Sequence, residues 1–210
     1  MDHFLFLAIL IVVFIVIIII IIVSISTTSS TNVVLPPVNE PPNTTASPIT
    51  YSSIFNLTAI GINHGPVIRC NNRNSCGDRA IIGRSGDGER FRFIALNGTA
   101  GPVRFGDNVK ISSVAGGFLE LCVNGTNRCG REIVLGGNSS GTIWRIATLT
   151  GAFGTVVNNT NSLVLSTIVD HEVIYLTSCD ELAVESCQGG SPLVASRRVS
   201  TLYWRINSVP

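Results

Sequence analysis

The chain has 210 residues, room for one substantial domain beside smaller segments. Fourteen basic and thirteen acidic residues give a net charge of +1. With one lysine, Lys110, and no basic run, that balance excludes a nucleic-acid-binding surface. The mean hydropathy of +0.43 is inflated by a single segment near the N-terminus.

After a three-residue tail (1–3), residues 4–23 carry no charged and no polar side chain. At 1.5 Å per residue, a helix of that length spans about 30 Å, the thickness of a bilayer core. No Lys or Arg precedes it, and the run is longer than the apolar part of a cleaved signal. The segment reads as a transmembrane signal-anchor helix with the lipid bilayer as its partner. Residues 24–50 hold five prolines, many Ser and Thr, and one charge at Glu40. Such a composition favours an extended stalk.

From Tyr51 onward the pattern is short β runs divided by Gly and Asn-Gly turns. Phe91–Ile94, Val109–Ile111, Phe118–Leu121, Leu163–Leu165 and Val173–Leu176 read as strands, and no long window carries a helical period. Residues 51–210 are therefore expected to be all-β. They also repeat. Three segments, 70–96, 122–149 and 179–209, each open with a close cysteine pair and pass a small apolar pair. Each then crosses a polar turn and closes on aromatic-Arg-apolar. The apolar pairs are Ile81-Ile82, Val134-Leu135 and Leu193-Val194; the closings are Phe91-Arg92-Phe93, Trp144-Arg145-Ile146 and Trp204-Arg205-Ile206. Three units of about 53 residues result, each large enough for four short strands but too small to bury its own apolar face.

Three such repeats with a closing Trp or Phe resemble the β-trefoil superfamily over residues 51–210. The run from Gly101 to Leu121 is similar to the Gly-Asp turn and following strands of many trefoils. The resemblance implies a threefold all-β barrel and leaves function open, because trefoils host lectins, inhibitors and scaffold modules.

Because the same close pair recurs at equivalent positions, the expected disulfides are Cys70–Cys76, Cys122–Cys129 and Cys179–Cys187. The gaps of five to seven residues are too long for the usual zinc spacing and for a redox motif. No metal and no cofactor is therefore expected. Six sequons, at Asn43, Asn56, Asn97, Asn124, Asn138 and Asn158, mark candidate glycosylation sites. With the cysteines they place the C-terminal domain in a lumenal or extracellular compartment, or on the outer side of a virion membrane. An isoleucine-rich anchor behind only three residues is similar to membrane proteins of large DNA viruses.

Arg92, Arg145 and Arg205 recur with threefold spacing and form a candidate ligand-binding ring for an anion. A sugar binder of the ricin type would carry Gln-x-Trp, yet Glu89, Thr142 and Leu202 stand two residues before the closing aromatics. Catalytic residues are not expected. Gly137–Gly141 formally matches G-x-S-x-G but reads as a polar turn rather than a strand-to-helix elbow. His64 and His171 are too isolated for a base or a ligand, and Asp87 and Asp107 read as turn residues. The sequence thus points to a non-enzymatic, membrane-anchored structural or recognition module with a protein partner or a glycan. A trefoil protease inhibitor presenting Arg84 or Arg128 is the further alternative.

Overall fold

The computed structural model describes residues 46–61, 65–74, 76–83, 88–136, 141–148, 152–179, 182, 184, 187, 189–197 and 203–209. The anchor segment 4–23 and residues 24–45 of the stalk lie outside them. Among the described residues no helix is long and apolar enough to cross a membrane.

Twelve strands account for the domain. In the first repeat they are β1 (Phe55–Ile60), β2 (Gly65–Arg73), β3 (Asp78–Ile82) and β4 (Arg90–Ala95). The second repeat supplies β5 (Asn108–Ser113), β6 (Leu119–Asn127), β7 (Gly130–Leu135) and β8 (Trp144–Ala147). The third supplies β9 (Ser162–Val169), β10 (Glu172–Ser178), β11 (Ser191–Ser196) and β12 (Tyr203–Ser208). All five sequence-read runs fall in or beside these strands. Alternation explains why: in β4, Phe91 and Phe93 turn inward while Arg90, Arg92 and Ile94 turn out.

The first and last strand of each repeat close a six-stranded ring. β1 pairs with β4, β4 with β5, β5 with β8, β8 with β9, β9 with β12 and β12 with β1, all antiparallel. The inner hairpins form a triangle at one end, through β3–β7, β7–β11 and β11–β3. A closed six-stranded barrel under a triangular hairpin cap is a β-trefoil-like architecture. It leaves no open edge in the barrel.

Phe55, Phe91, Phe93, Trp144, Ile146, Leu163, Leu165, Trp204 and Ile206 fill the barrel, each with no solvent exposure. The indole nitrogens of Trp144 and Trp204 donate to the carbonyls of Leu119 (2.9 Å) and Leu176 (3.3 Å), so neither buried N–H is orphaned. In the first repeat Phe91 has no such donor, and the equivalent carbonyl of Val67 accepts from the Glu89 backbone instead (2.7 Å).

A triangle of backbone hydrogen bonds closes the end opposite the cap. Ile49 N donates to Val157 O, Val157 N to Val103 O, and Val103 N to Ile49 O, each at 2.8 Å. All three side chains are fully buried. They are the same position in three successive repeats. The folded domain therefore takes in Ser47–Thr50, residues the composition places in the stalk. Proline and threonine content hides this, because one Ile in such a stretch gives no periodic signal.

Three disulfides are present, but their partners differ from the expected near neighbours. Cys70 bonds Cys187, Cys76 bonds Cys122, and Cys129 bonds Cys179, with Cα–Cα separations of 5.8, 5.5 and 5.6 Å. Strand register sets the two cysteines of a hairpin at different levels. In the middle hairpin the tip turn is Arg128-Cys129, flanked by the Asn127↔Gly130 pair, while Cys122 lies five residues up β6 from Asn127. Between the two cysteines β6 also shifts register against β7, from Leu121↔Ile133 to Thr126↔Arg131, so this segment bulges from the ladder. In the first hairpin Cys70 stands opposite Arg79 and Cys76 sits in the connecting turn. Each repeat's second cysteine instead reaches the next repeat's first.

Candidate functional site

At the end opposite the cap, each repeat begins with the same turn. Thr50 N donates to Ser53 Oγ (3.0 Å), Arg104 N to Asp107 Oδ2 (2.8 Å) and Asn158 N to Asn161 Oδ1 (2.7 Å). A backbone bond runs back in each: Ser53 N to Thr50 O, Asp107 N to Arg104 O, Asn161 N to Asn158 O. These are the side-chain-closed turns that Ser, Asn and Asp favour. Any short acceptor closes the turn, and two of the three copies use a neutral one.

The second copy departs from that symmetry. Its acceptor is a carboxylate, and the Tyr51 hydroxyl from the first repeat also donates to Asp107 Oδ2, at 2.8 Å. The equivalents of Tyr51 in the later repeats are Phe105 and Asn159, neither with a phenol. Burial, and next the hydrogen bond and charge of Asp107, push the Tyr51 phenol up to about 12. It therefore remains a protonated donor at any physiological pH.

Tyr51, Asn97, Thr99, Arg104, Asp107 and Asn108 line one cleft of about 590 Å³. Gly106, at φ 100°, sits beneath Phe153, whose ring occupies the space a side chain at 106 would need. Phe153 in turn lies under the Arg145 guanidinium, 4.9 Å from ring centroid to cation. Arg104 is anchored through Nη1 to the carbonyl of Gly154 (2.6 Å). Asn97 Oδ1 accepts from the Thr99 backbone (3.2 Å) and from the Thr99 hydroxyl.

The predicted arginine ring is not a convergent site. Arg92 and Arg145 are exposed and Arg205 half-buried, each between residues that face the barrel interior. Lying on β4, β8 and β12, with other barrel strands between them, they point outward in three directions. Among the sequons, Asn97 and Asn124 are exposed, while Asn56 and Asn158 are half-buried. Asn56 Oδ1 is buried without a partner, and Pro66 and Asn56 itself crowd the position of Gly88. Asn43 and Asn138 lie outside the described residues, as do His64, Arg84, Asp87 and the serines of the G-x-S-x-G match. His171 occupies the β9–β10 turn at φ 67°, and Arg128 is exposed at the β6–β7 tip.

Two charged groups were not legible in sequence. Arg69 on β2 joins repeats one and two: it pairs with Asp78 (3.3 Å) and Glu89 (3.2 Å) and donates to Ser113 Oγ (3.2 Å) and Gly116 O (2.7 Å). Its partners lie up to 47 residues away. A second groove, of about 510 Å³, is bordered by Arg131–Asp170 (2.6 Å) and Arg197–Glu172 ion pairs, so its charges are already matched. Among the described residues no group of three or more His, Cys, Asp or Glu is placed to hold a metal.

No known protein family matches the sequence, and no curated protein matches it. Solved structures do match the fold. An SDF2-like protein from Arabidopsis thaliana is 13% identical, with a TM-score of 0.62, covering 76% of this chain and 94% of that one. A Caenorhabditis elegans protein of unknown function is 14% identical (TM-score 0.63; 75% and 94% covered). The double-headed arrowhead protease inhibitor A, solved with two trypsins, is 10% identical (TM-score 0.55; 78% and 96% covered). At these identities the likeness is one of fold, and it supports the β-trefoil-like assignment.

Proposed function

We propose that this chain is a non-catalytic recognition module, a covalently reinforced β-trefoil-like domain held by residues 4–23 at the outer face of a membrane. The observation that carries the reading is the disulfide ring. Three inter-repeat bridges, with no free cysteine among the described residues, suit an oxidising compartment and a rigid, long-lived surface. The isoleucine-rich anchor makes a virion membrane one setting for such a module. Arrowhead inhibitor A engages trypsins, but the exposed Arg128 sits here in a tight two-residue hairpin turn, with none of the reach of a presented loop.

Fractionation with alkylation of free thiols tests the compartment: membrane-bound protein with all six cysteines protected is expected, and a soluble, fully alkylatable chain refutes the reading. Co-purification with virions tests the setting. A second reading, recognition of a glycan, is favoured by the polar cleft around Tyr51 and Asp107, whose volume lies within the range of ligand pockets.

A further inference from the structure

We infer that the cleft of Tyr51, Asn97, Arg104 and Asp107 is a saccharide subsite, with Asp107 accepting from sugar hydroxyls and Arg104 and Asn108 flanking them. The inference rests on the glycan-recognition reading and gives it a place.

The symmetry of the fold supplies the argument. Ser53 and Asn161 show that the turn needs only a neutral acceptor. The charge on Asp107 is surplus to that need. Both hydrogen bonds to Asp107 fall on Oδ2, which leaves the second carboxylate oxygen for a ligand donor. Arg104 uses Nη1 on Gly154, so the rest of its planar fork remains for ligand oxygens. Tyr51 fixes the carboxylate and adds an aromatic wall, the amphipathic surface a pyranose ring stacks on. A neutral, hydroxyl-rich ligand fits this mixture of carboxylate, guanidinium, amide and phenol. A bare cation meets Arg104, and a bare anion meets Asp107.

Saccharide can come from two sources. Asn97 itself lines the cleft. Its Oδ1 is held by Thr99, which leaves the amide nitrogen, the atom that carries an N-linked sugar, unused. The ligand is then either the first sugars on Asn97, folded back onto their own domain, or a glycan from another molecule.

The test uses the full chain in detergent, produced in glycosylating cells, as wild type, Asn97→Gln, Asp107→Asn and Tyr51→Phe. Asp107→Asn reproduces the acceptor that repeat three already uses, so the turn survives and thermal unfolding serves as the control. An array of mannose-, galactose-, N-acetylglucosamine- and sialic-acid-terminated glycans reads the external source. Hydrogen exchange of residues 96–108 reads the internal one. If the ligand is external, Asn97→Gln binds a glycan class, and Asp107→Asn weakens that binding about tenfold or more. If it is internal, wild type is protected at 96–108 relative to Asn97→Gln, and Asp107→Asn loses that protection. Glycan binding that ignores Asp107→Asn and Tyr51→Phe overturns the subsite but not glycan recognition. No array binding in any form, with identical exchange in all four, overturns both.

Discussion

At the scale of single residues, the domain is fixed by a few side chains whose roles follow from where their polar atoms end. Trp144 fills the barrel and its N–H closes on Leu119 O. Trp144→Phe keeps most of the volume but strands that carbonyl and opens a small void. It should cost about 2 kcal/mol in denaturant unfolding, whereas Trp144→Ala should cost about 3–5 kcal/mol.

Tyr51 gives a pH signature. Its folded pKa, about 12, lies above the unfolded value of about 10. The folded state therefore holds this proton more tightly, so the contribution is complete below pH 10 and is lost as pH rises through about 12. Tyrosinate absorbance should show one phenol titrating late, and Tyr51→Phe should abolish that step and flatten part of the alkaline stability loss. The closing tryptophans were legible in sequence because they recur; the Tyr51–Asp107 pair was not, since its partners stand 56 residues apart. Nothing repeats it, and it exists through an exception to the repeat.

At the scale of elements, the β9–β10 hairpin shows local strain tolerated by good pairing. Val169↔Glu172 flank a two-residue turn in which Asp170 (φ 51°) and His171 (φ 67°) both adopt the left-handed region. Hairpins with this turn prefer Asn-Gly or Asp-Gly, because only glycine enters that region without steric cost. His171→Gly should raise stability by about 0.5–1 kcal/mol in thermal or denaturant unfolding. It should do so without changing the Arg131–Asp170 ion pair. The five sequence-read strands fall where alternation and β-branched content place them. The entry segment Ser47–Thr50 was missed because its single buried side chain, Ile49, gains meaning only beside Val103 and Val157.

At the scale of the whole molecule, the three repeats are joined end to end in a cycle. Sequence repetition could not reveal this. Of the fifteen pairings open to six cysteines, three preserve threefold equivalence, and only strand register separates them. The enclosed separations of 117, 46 and 50 residues replace the short loops first expected. On the chain-entropy account a bridge of 46–50 residues contributes about 4 kcal/mol, against about 2.5 kcal/mol for loops of seven to nine. Non-reducing peptide mapping should recover Cys70–Cys187, Cys76–Cys122 and Cys129–Cys179; any intra-repeat pair contradicts the topology. Limited proteolysis supplies a second check. One cut in each of the 96–107 and 148–161 connections should leave a single species on a non-reducing gel, and reduction should release three fragments.

The same ring sets an order in time. A chain made from its N-terminus can seal Cys76 to Cys122 once the second repeat has emerged, and Cys129 to Cys179 once the third begins. Cys70 must wait for Cys187, 117 residues later, and Ile49 must wait for Val157. The first residues of the domain to leave the ribosome are thus among the last to find their partners. During synthesis the nascent domain carries an unpaired thiol that only completion of the third hairpin removes.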